Sequence, residues 1–137
     1  KSMVEDLNLS KKVFFKDKMP YDNLMEYTKI ADLGLSLDKN TNLNYSYSLP
    51  NKVFDYIQAN TPILASNTKV ISKLILSNNI GSITDSHNPK ELAKTIENIF
   101  LNEQQYSNWC ENLKDIAKEL NWENESKKLM EIFNSID

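Results

Sequence analysis

The chain is poor in the residues that most often carry chemistry. Its 137 residues include one cysteine, one histidine, two glycines and four prolines. The lone Cys110 excludes an internal disulfide and leaves no cysteine cluster for a metal. Its amphipathic helical setting beside Trp109 suits a structural thiol. With only Gly34 and Gly81, a glycine-rich phosphate loop cannot be built, so any phosphate site must use helix ends and side chains. His87 stands in a turn before Pro89 with no partner in view, a surface position rather than a base or a metal ligand. No apolar run nears the ~20 residues of a membrane span, and no signal peptide heads the chain, which makes the cytoplasm the default compartment. Positive charge is not in excess either: 16 Lys and Arg against 19 Asp and Glu give a net charge of −3, no footprint for nucleic acid. No Ser-His-Asp set, zinc spacing or paired-carboxylate motif can be assembled. The plentiful Asn, Lys and Ile read as the bias of an AT-rich genome.

What is present is an ordinary soluble composition, 40% hydrophobic and 26% charged, long enough for one core and one domain over residues 1–137. A helical fragment, Met3 to Leu9, precedes the apolar Val13-Phe14-Phe15, which reads as a strand. Tyr21 to Ile30 carries Leu24, Met25, Tyr27 and Ile30 at helical spacing. Ala31 to Leu37 reads as a strand and Asp38 to Tyr47 as a polar loop. A helix near Pro50 to Ala59 follows, with Asn60 as a left-handed cap. Pro62 to Ala65 is a short, continuously apolar run that suits a buried parallel strand. Val70, Ile71, Leu74 and Ile75 mark a helix, Ile80 to Thr84 a last strand, and Asn88-Pro89 the start of a long amphipathic helix. Two further helical stretches, near Glu103 to Leu120 and Trp122 to Phe133, form a tail over about residues 103–137, with Trp109 and Trp122 as packing anchors. Strands alternating with helices predict an α/β fold, a Rossmann-like parallel sheet flanked by helices with a helical C-terminal tail.

In such a sheet, nucleotides bind outside the carboxyl ends of the strands. The window Ser48 to Ser66, SLPNKVFDYIQANTPILAS, places a helix start there. Pro50 suits a first turn, and Ser48 lies within capping range. Free amides at that end favour an anion. Asp55 lies one residue off the buried face of Val53, Phe54 and Ile57. It is either a hydrogen-bond acceptor for paired hydroxyls such as a ribose diol, or an ordinary acid complementing the helix dipole. Lys52 can pair with Asp55, reach a phosphate or stay solvated. Lys16 and Lys18 flank Asp17 in the turn after the first apolar run, at a pocket edge or in a plain charged turn. Tyr45 and Tyr47 either cover a ligand or pack the loop down.

The same window closely resembles the signature "lPnKlfEyma.gkPvlas" of the donor-binding half of retaining GT-B glycosyltransferases, the group 1 or family 4 enzymes, in a form many bacterial members show. VFFKDKMPYDNLMEYTKIADLGLSL, from Val13 to Leu37, resembles that family's "V-x-F-x-G-x-v-p…l-x-x-y…aD-x-g-l" segment. Thr84 to Leu92 resembles its "d..dpeela" helix start, and Asn121-Trp122 its "y.We" tail. The resemblance implies that Asp55 is the second acid of an E-x7-E motif and holds the donor's ribose hydroxyls. The first acid falls at Tyr47, a departure at the position that orients the donor sugar. Ser48, Leu49 and Pro50 match the helix start whose backbone lies against the diphosphate. Lys16 to Met19 match the turn bordering the nucleobase, with Asp17 in place of glycine.

The implied activity is transfer of a sugar from a nucleoside diphosphate sugar to a carbohydrate or lipid-linked acceptor, of the cell-surface polysaccharide type. No cofactor or metal is expected. The resemblance further implies a piece of a larger enzyme, with the first strand and the acceptor-binding N-terminal domain outside this chain and little turnover by the chain alone. Peripheral membrane association at the inner face would belong to the full-length enzyme. Two rivals stand beside this reading, a GT-B nucleotide-sugar epimerase and a receiver-like signalling module in which Asp32 and Asp38 would have to cluster.

Overall fold

Ile63 to Ser66 is apolar or small at every position, so it can be buried on both faces, and it forms the central strand of the fold. A computed structural model describes residues 1–39 and 41–136. Along the chain run α1 (Ser2–Asp6), α2 (Tyr21–Lys29), β1 (Gly34–Ser36), α3 (Leu43–Tyr47), α4 (Asn51–Gln58), β2 (Ile63–Ser66), α5 (Lys69–Asn78) and β3 (Gly81–Thr84). Then come α6 (Pro89–Leu101), α7 (Glu103–Glu119) and α8 (Trp122–Asn134). The sheet has the order β1-β2-β3 and both pairs are parallel, with Gly34 opposite Ile63 and Ile63 opposite Gly81. The fold is therefore α/β, a Rossmann-like parallel sheet flanked by helices and followed by a helical tail.

Side chains alternate across a strand, and β2 divides the core accordingly. Ile63 and Ala65 join Val53, Ile57, Ile71, Ile75, Ile80 and Leu113 on one face. Leu64 joins Ile99 and Trp109 on the other. Each fully buried Ile or Leu stabilises the fold by roughly 1.5–3 kcal/mol over its exposed state. Helix α7 serves both layers, because Trp109 lies in the second cluster while Leu113 belongs to the first.

Both glycines are fixed by close approach. A Cβ on Gly81 would stand 2.0 Å from the Ile63 carbonyl oxygen, and one on Gly34 would stand 2.5 Å from the Tyr56 ring. Asn60 and Asn79 take the left-handed turns after α4 and α5, with φ of 56° and 48°, a region Asn tolerates better than most residues. Asn88 caps α6, its side chain accepting from the Lys90 amide at 2.9 Å.

Three expectations need correction. Val13-Phe14-Phe15 is not a strand, and its side chains are exposed; strand propensity yields no strand where no neighbour offers a ladder. The polar stretch Asp38 to Tyr47 holds the short helix α3, because the Asn42 side chain accepts from the Tyr45 amide at 3.0 Å and caps its start. Within that stretch Asn40 lies outside the described residues, as does Asp137 at the end of the tail. Trp122 is no packing anchor: it is 70% exposed, and α8 has no buried residue, whereas Trp109 is buried. Burial also holds the Cys110 thiol above its ordinary value, against the opposing pull of Tyr106 and Lys114, which keeps it protonated at neutral pH as befits a packing group.

Candidate functional site

Parallel strands end on one edge, and here each ends in a hydroxyl. Ser36, Ser66 and Thr84 close β1, β2 and β3 and are all buried. A buried hydroxyl needs a partner. Ser36 Oγ donates to Asp38 Oδ2 at 3.5 Å, Ser66 Oγ lies 3.5 Å from His87 Nε2, and Thr84 Oγ1 accepts from the Ser86 amide at 3.1 Å. His87 is thus half-buried with a partner, not a bare surface residue. Lys39, Ser66, Asn67, Thr84, Asp85 and His87 surround a depression of about 360 Å³ between the ends of β2 and β3. At the start of α5, the buried Thr68 hydroxyl has no hydrogen-bond partner among the described residues.

The window from Ser48 builds the neighbouring part of this edge. Leu49 packs against the core and anchors the turn into α4. Pro50 is the N-cap rather than a first-turn residue, with φ −65° and ψ 140°, and no side chain caps the helix. Ser48 does not cap it because its hydroxyl donates back to the Tyr45 carbonyl at 3.3 Å, closing α3 instead. The Val53 amide returns to the Pro50 carbonyl at 3.0 Å. The leading amides of Asn51 and Lys52 therefore keep the positive character of an uncapped helix end.

Lys52 does not pair with Asp55. Its ammonium lies 2.8 Å from Asp38 Oδ2, which holds it at the end of β1 beside the start of α4. Asp55 is half-buried one turn further along α4, and its Oδ1 accepts from the Tyr21 hydroxyl at 2.9 Å. Tyr21 opens α2 directly after the irregular segment that carries Lys16 and Lys18. Lys16 donates to the Tyr27 hydroxyl at 3.3 Å and lies 4.7 Å from that ring's centre, while Lys18 is exposed. Tyr47 is also exposed, and its hydroxyl accepts from Lys69 Nζ at 3.2 Å.

Partners of three predicted residues escaped the sequence reading, namely Tyr21 for Asp55, Asp38 for Lys52 and Lys69 for Tyr47. Each pair joins different elements across many residues, and no local spacing announces them. Asp32 precedes β1 and Asp38 follows it, so the two acids fall at opposite edges of the sheet. Among the described residues no three His, Cys, Asp or Glu side chains converge, and the acid cluster of a receiver does not form.

The model of the family described as "Glycosyl transferases group 1" matches residues 1–119. The chain belongs to the group 1 glycosyl transferases. This family's reaction is glycosyl transfer, which engages a sugar donor and an acceptor. No curated protein and no solved structure matches the chain. No helix among the described residues is long and apolar enough to cross a membrane.

Proposed function

We propose that this group 1 domain binds the nucleoside diphosphate sugar for a retaining transferase. The sugar passes to a carbohydrate or lipid-linked acceptor held by a separate domain, in the building of a cell-surface polysaccharide. The observation that carries this reading is the half-buried Asp55 carboxylate one turn into the uncapped helix α4, with Oδ1 bonded and Oδ2 bonded to no described residue. Free amides at a helix start favour phosphate, and a carboxylate acceptor suits hydroxyls. The diphosphate would lie along Ser48, Leu49, Pro50 and the amides that follow, within reach of Lys52. The ribose would meet Asp55, and the base would border the turn holding Lys16 and Lys18.

Stabilisation of the departing diphosphate by positive groups and helix amides is the chemistry this arrangement favours. Tyr47 stands near the helix start with a phenol bound to Lys69, so the donor sugar would meet a neutral hydroxyl and an ammonium rather than a carboxylate. No resident metal or cofactor enters this reading. It places the working enzyme in the cytoplasm, at the inner face of the membrane, and gives the chain alone little turnover.

The test is titration calorimetry of UDP-, GDP- and ADP-sugars against the chain and against Asp55→Ala. One of these donors should bind, with affinity falling about tenfold or more in the variant, the scale of a lost charge-assisted hydrogen bond. Binding that ignores the substitution would remove Asp55 from the site and this reading with it.

A further inference from the structure

The Tyr21 hydroxyl and the Asp55 carboxylate lie 2.9 Å apart although 34 residues separate them in sequence. Both ends of this hydrogen bond stand on anchored elements. Helix α2 is held by buried Met25 and by the Thr61 hydroxyl, which donates to the Thr28 carbonyl at 2.9 Å. Helix α4 is held by Val53 and Ile57, both fully buried. An aspartate on a helix can turn about two side-chain bonds, and a phenol donating to one oxygen restricts that freedom.

The chemistry of the partner matters as much as its position. The nearest lysine along α4, Lys52, is committed to Asp38 at 2.8 Å, so the partner that Asp55 meets is the Tyr21 hydroxyl. Partial burial, and then the bond to Asp55, raise the Tyr21 pKa above its ordinary 10.0, so the phenol remains a donor at neutral pH. One carboxylate oxygen is held in place, and the other is presented as a charged acceptor.

We propose that Tyr21 is a positioning residue for the nucleoside, its hydroxyl orienting Asp55 so that Oδ2 meets the sugar hydroxyls and selects ribose over deoxyribose. This rests on the donor-site reading given above and adds to it the residue that sets selectivity. Tyr21 acts through Asp55 and has no contact of its own with the reacting atoms.

The experiment is calorimetry of UDP, GDP and ADP, each alongside its 2′-deoxy and 3′-deoxy forms, with the full chain and with Tyr21→Phe, Tyr21→Leu and Asp55→Ala. For the nucleotide that binds, at least one deoxy form should bind about tenfold more weakly than the ribonucleotide. In Tyr21→Phe that ratio should shrink to about threefold or less, with the melting temperature nearly unchanged. Tyr21→Leu should lose the same selectivity. If the ratio persists in Tyr21→Phe, or falls only in Tyr21→Leu, the hydroxyl does not position Asp55 and the proposal is overturned. Affinity that depends on Asp55 but selectivity that ignores Tyr21 overturns this proposal alone. Absence of binding by every nucleotide, or binding indifferent to Asp55→Ala, overturns the donor-site reading and this proposal together.

Discussion

The two edges of the sheet are built from different materials. At the amino edge, where the chain enters each strand, polar side chains are spent on backbone groups and on one another. Asn79, which leads into β3, accepts through Oδ1 from Trp109 at 3.1 Å and Gln105 at 2.9 Å, and its carbonyl accepts from Asn112 at 2.8 Å. Tyr106 donates to the Asp32 carbonyl ahead of β1 at 2.8 Å, and Gln58, ahead of β2, donates to the Leu120 carbonyl at 2.8 Å. Helix α7 is thereby laced across the strand entrances. The carboxyl edge holds short hydroxyls, opposed charges, an uncapped helix start and the unpartnered Thr68 hydroxyl, which costs about 1–3 kcal/mol if it stays unmet. One edge is closed by interactions that favour folding. The other pairs its hydroxyls and charges locally, but leaves the start of α4 and the Thr68 hydroxyl without a partner among the described residues, which folding alone does not reward.

The comparison breaks if substitutions at the amino edge alter nucleotide affinity as much as stability. Trp109→Ala should have the largest effect, since it empties a buried site and removes a hydrogen bond. A loss of about 3–5 kcal/mol is expected in denaturant unfolding, with calorimetric nucleotide affinity of the remaining folded protein unchanged. Asn79→Gly should follow. Glycine keeps the left-handed turn at φ 48° but leaves the Trp109 and Gln105 donors without their acceptor, for a loss of about 1–3 kcal/mol. A smaller loss would mean that water replaces the amide, and that the lacing contributes less than its geometry suggests.

The contrast between the edges was legible in the sequence only in part. Runs buried by composition announced their elements, as Ile63-Leu64-Ala65 did for β2 and Asn88-Pro89 for the start of α6, because period and capping are local. Val13-Phe14-Phe15 misled because its residues favour a strand while a strand also requires a neighbour. Helix α3 was hidden for the opposite reason: Asn42 supplies a cap within a stretch whose composition reads as loop. Asp55, Lys52 and the helix start from Pro50 could be placed together on one element from the sequence. Their partners could not, since Tyr21, Asp38 and Lys69 reach them only through packing of α2, β1 and α5, and pairwise geometry of that kind leaves no spacing to read. The exposure of Trp122 escaped for a related reason, since an aromatic at a helix start looks the same whether or not another element covers it.

The smallest effect expected is also the most direct probe of the carboxyl edge. The folded pKa of Tyr21 is raised, through partial burial first and the Asp55 bond second, so the fold favours the protonated phenol. The stabilising contribution of that hydroxyl is therefore fully present below the unfolded value near 10.0 and is lost as pH rises through the higher folded value. Burial also raises Tyr106 and Cys110, so the alkaline loss of the wild-type chain mixes three groups. Subtracting the unfolding curve of Tyr21→Phe from that of the wild type isolates one of them. The difference should be level from about pH 8 to near 10 and shrink above it. A difference that stays level through about pH 11 would mean that neither burial nor the Asp55 bond favours the protonated phenol in the free protein. The Tyr21–Asp55 bond would then add no measurable stability to this edge.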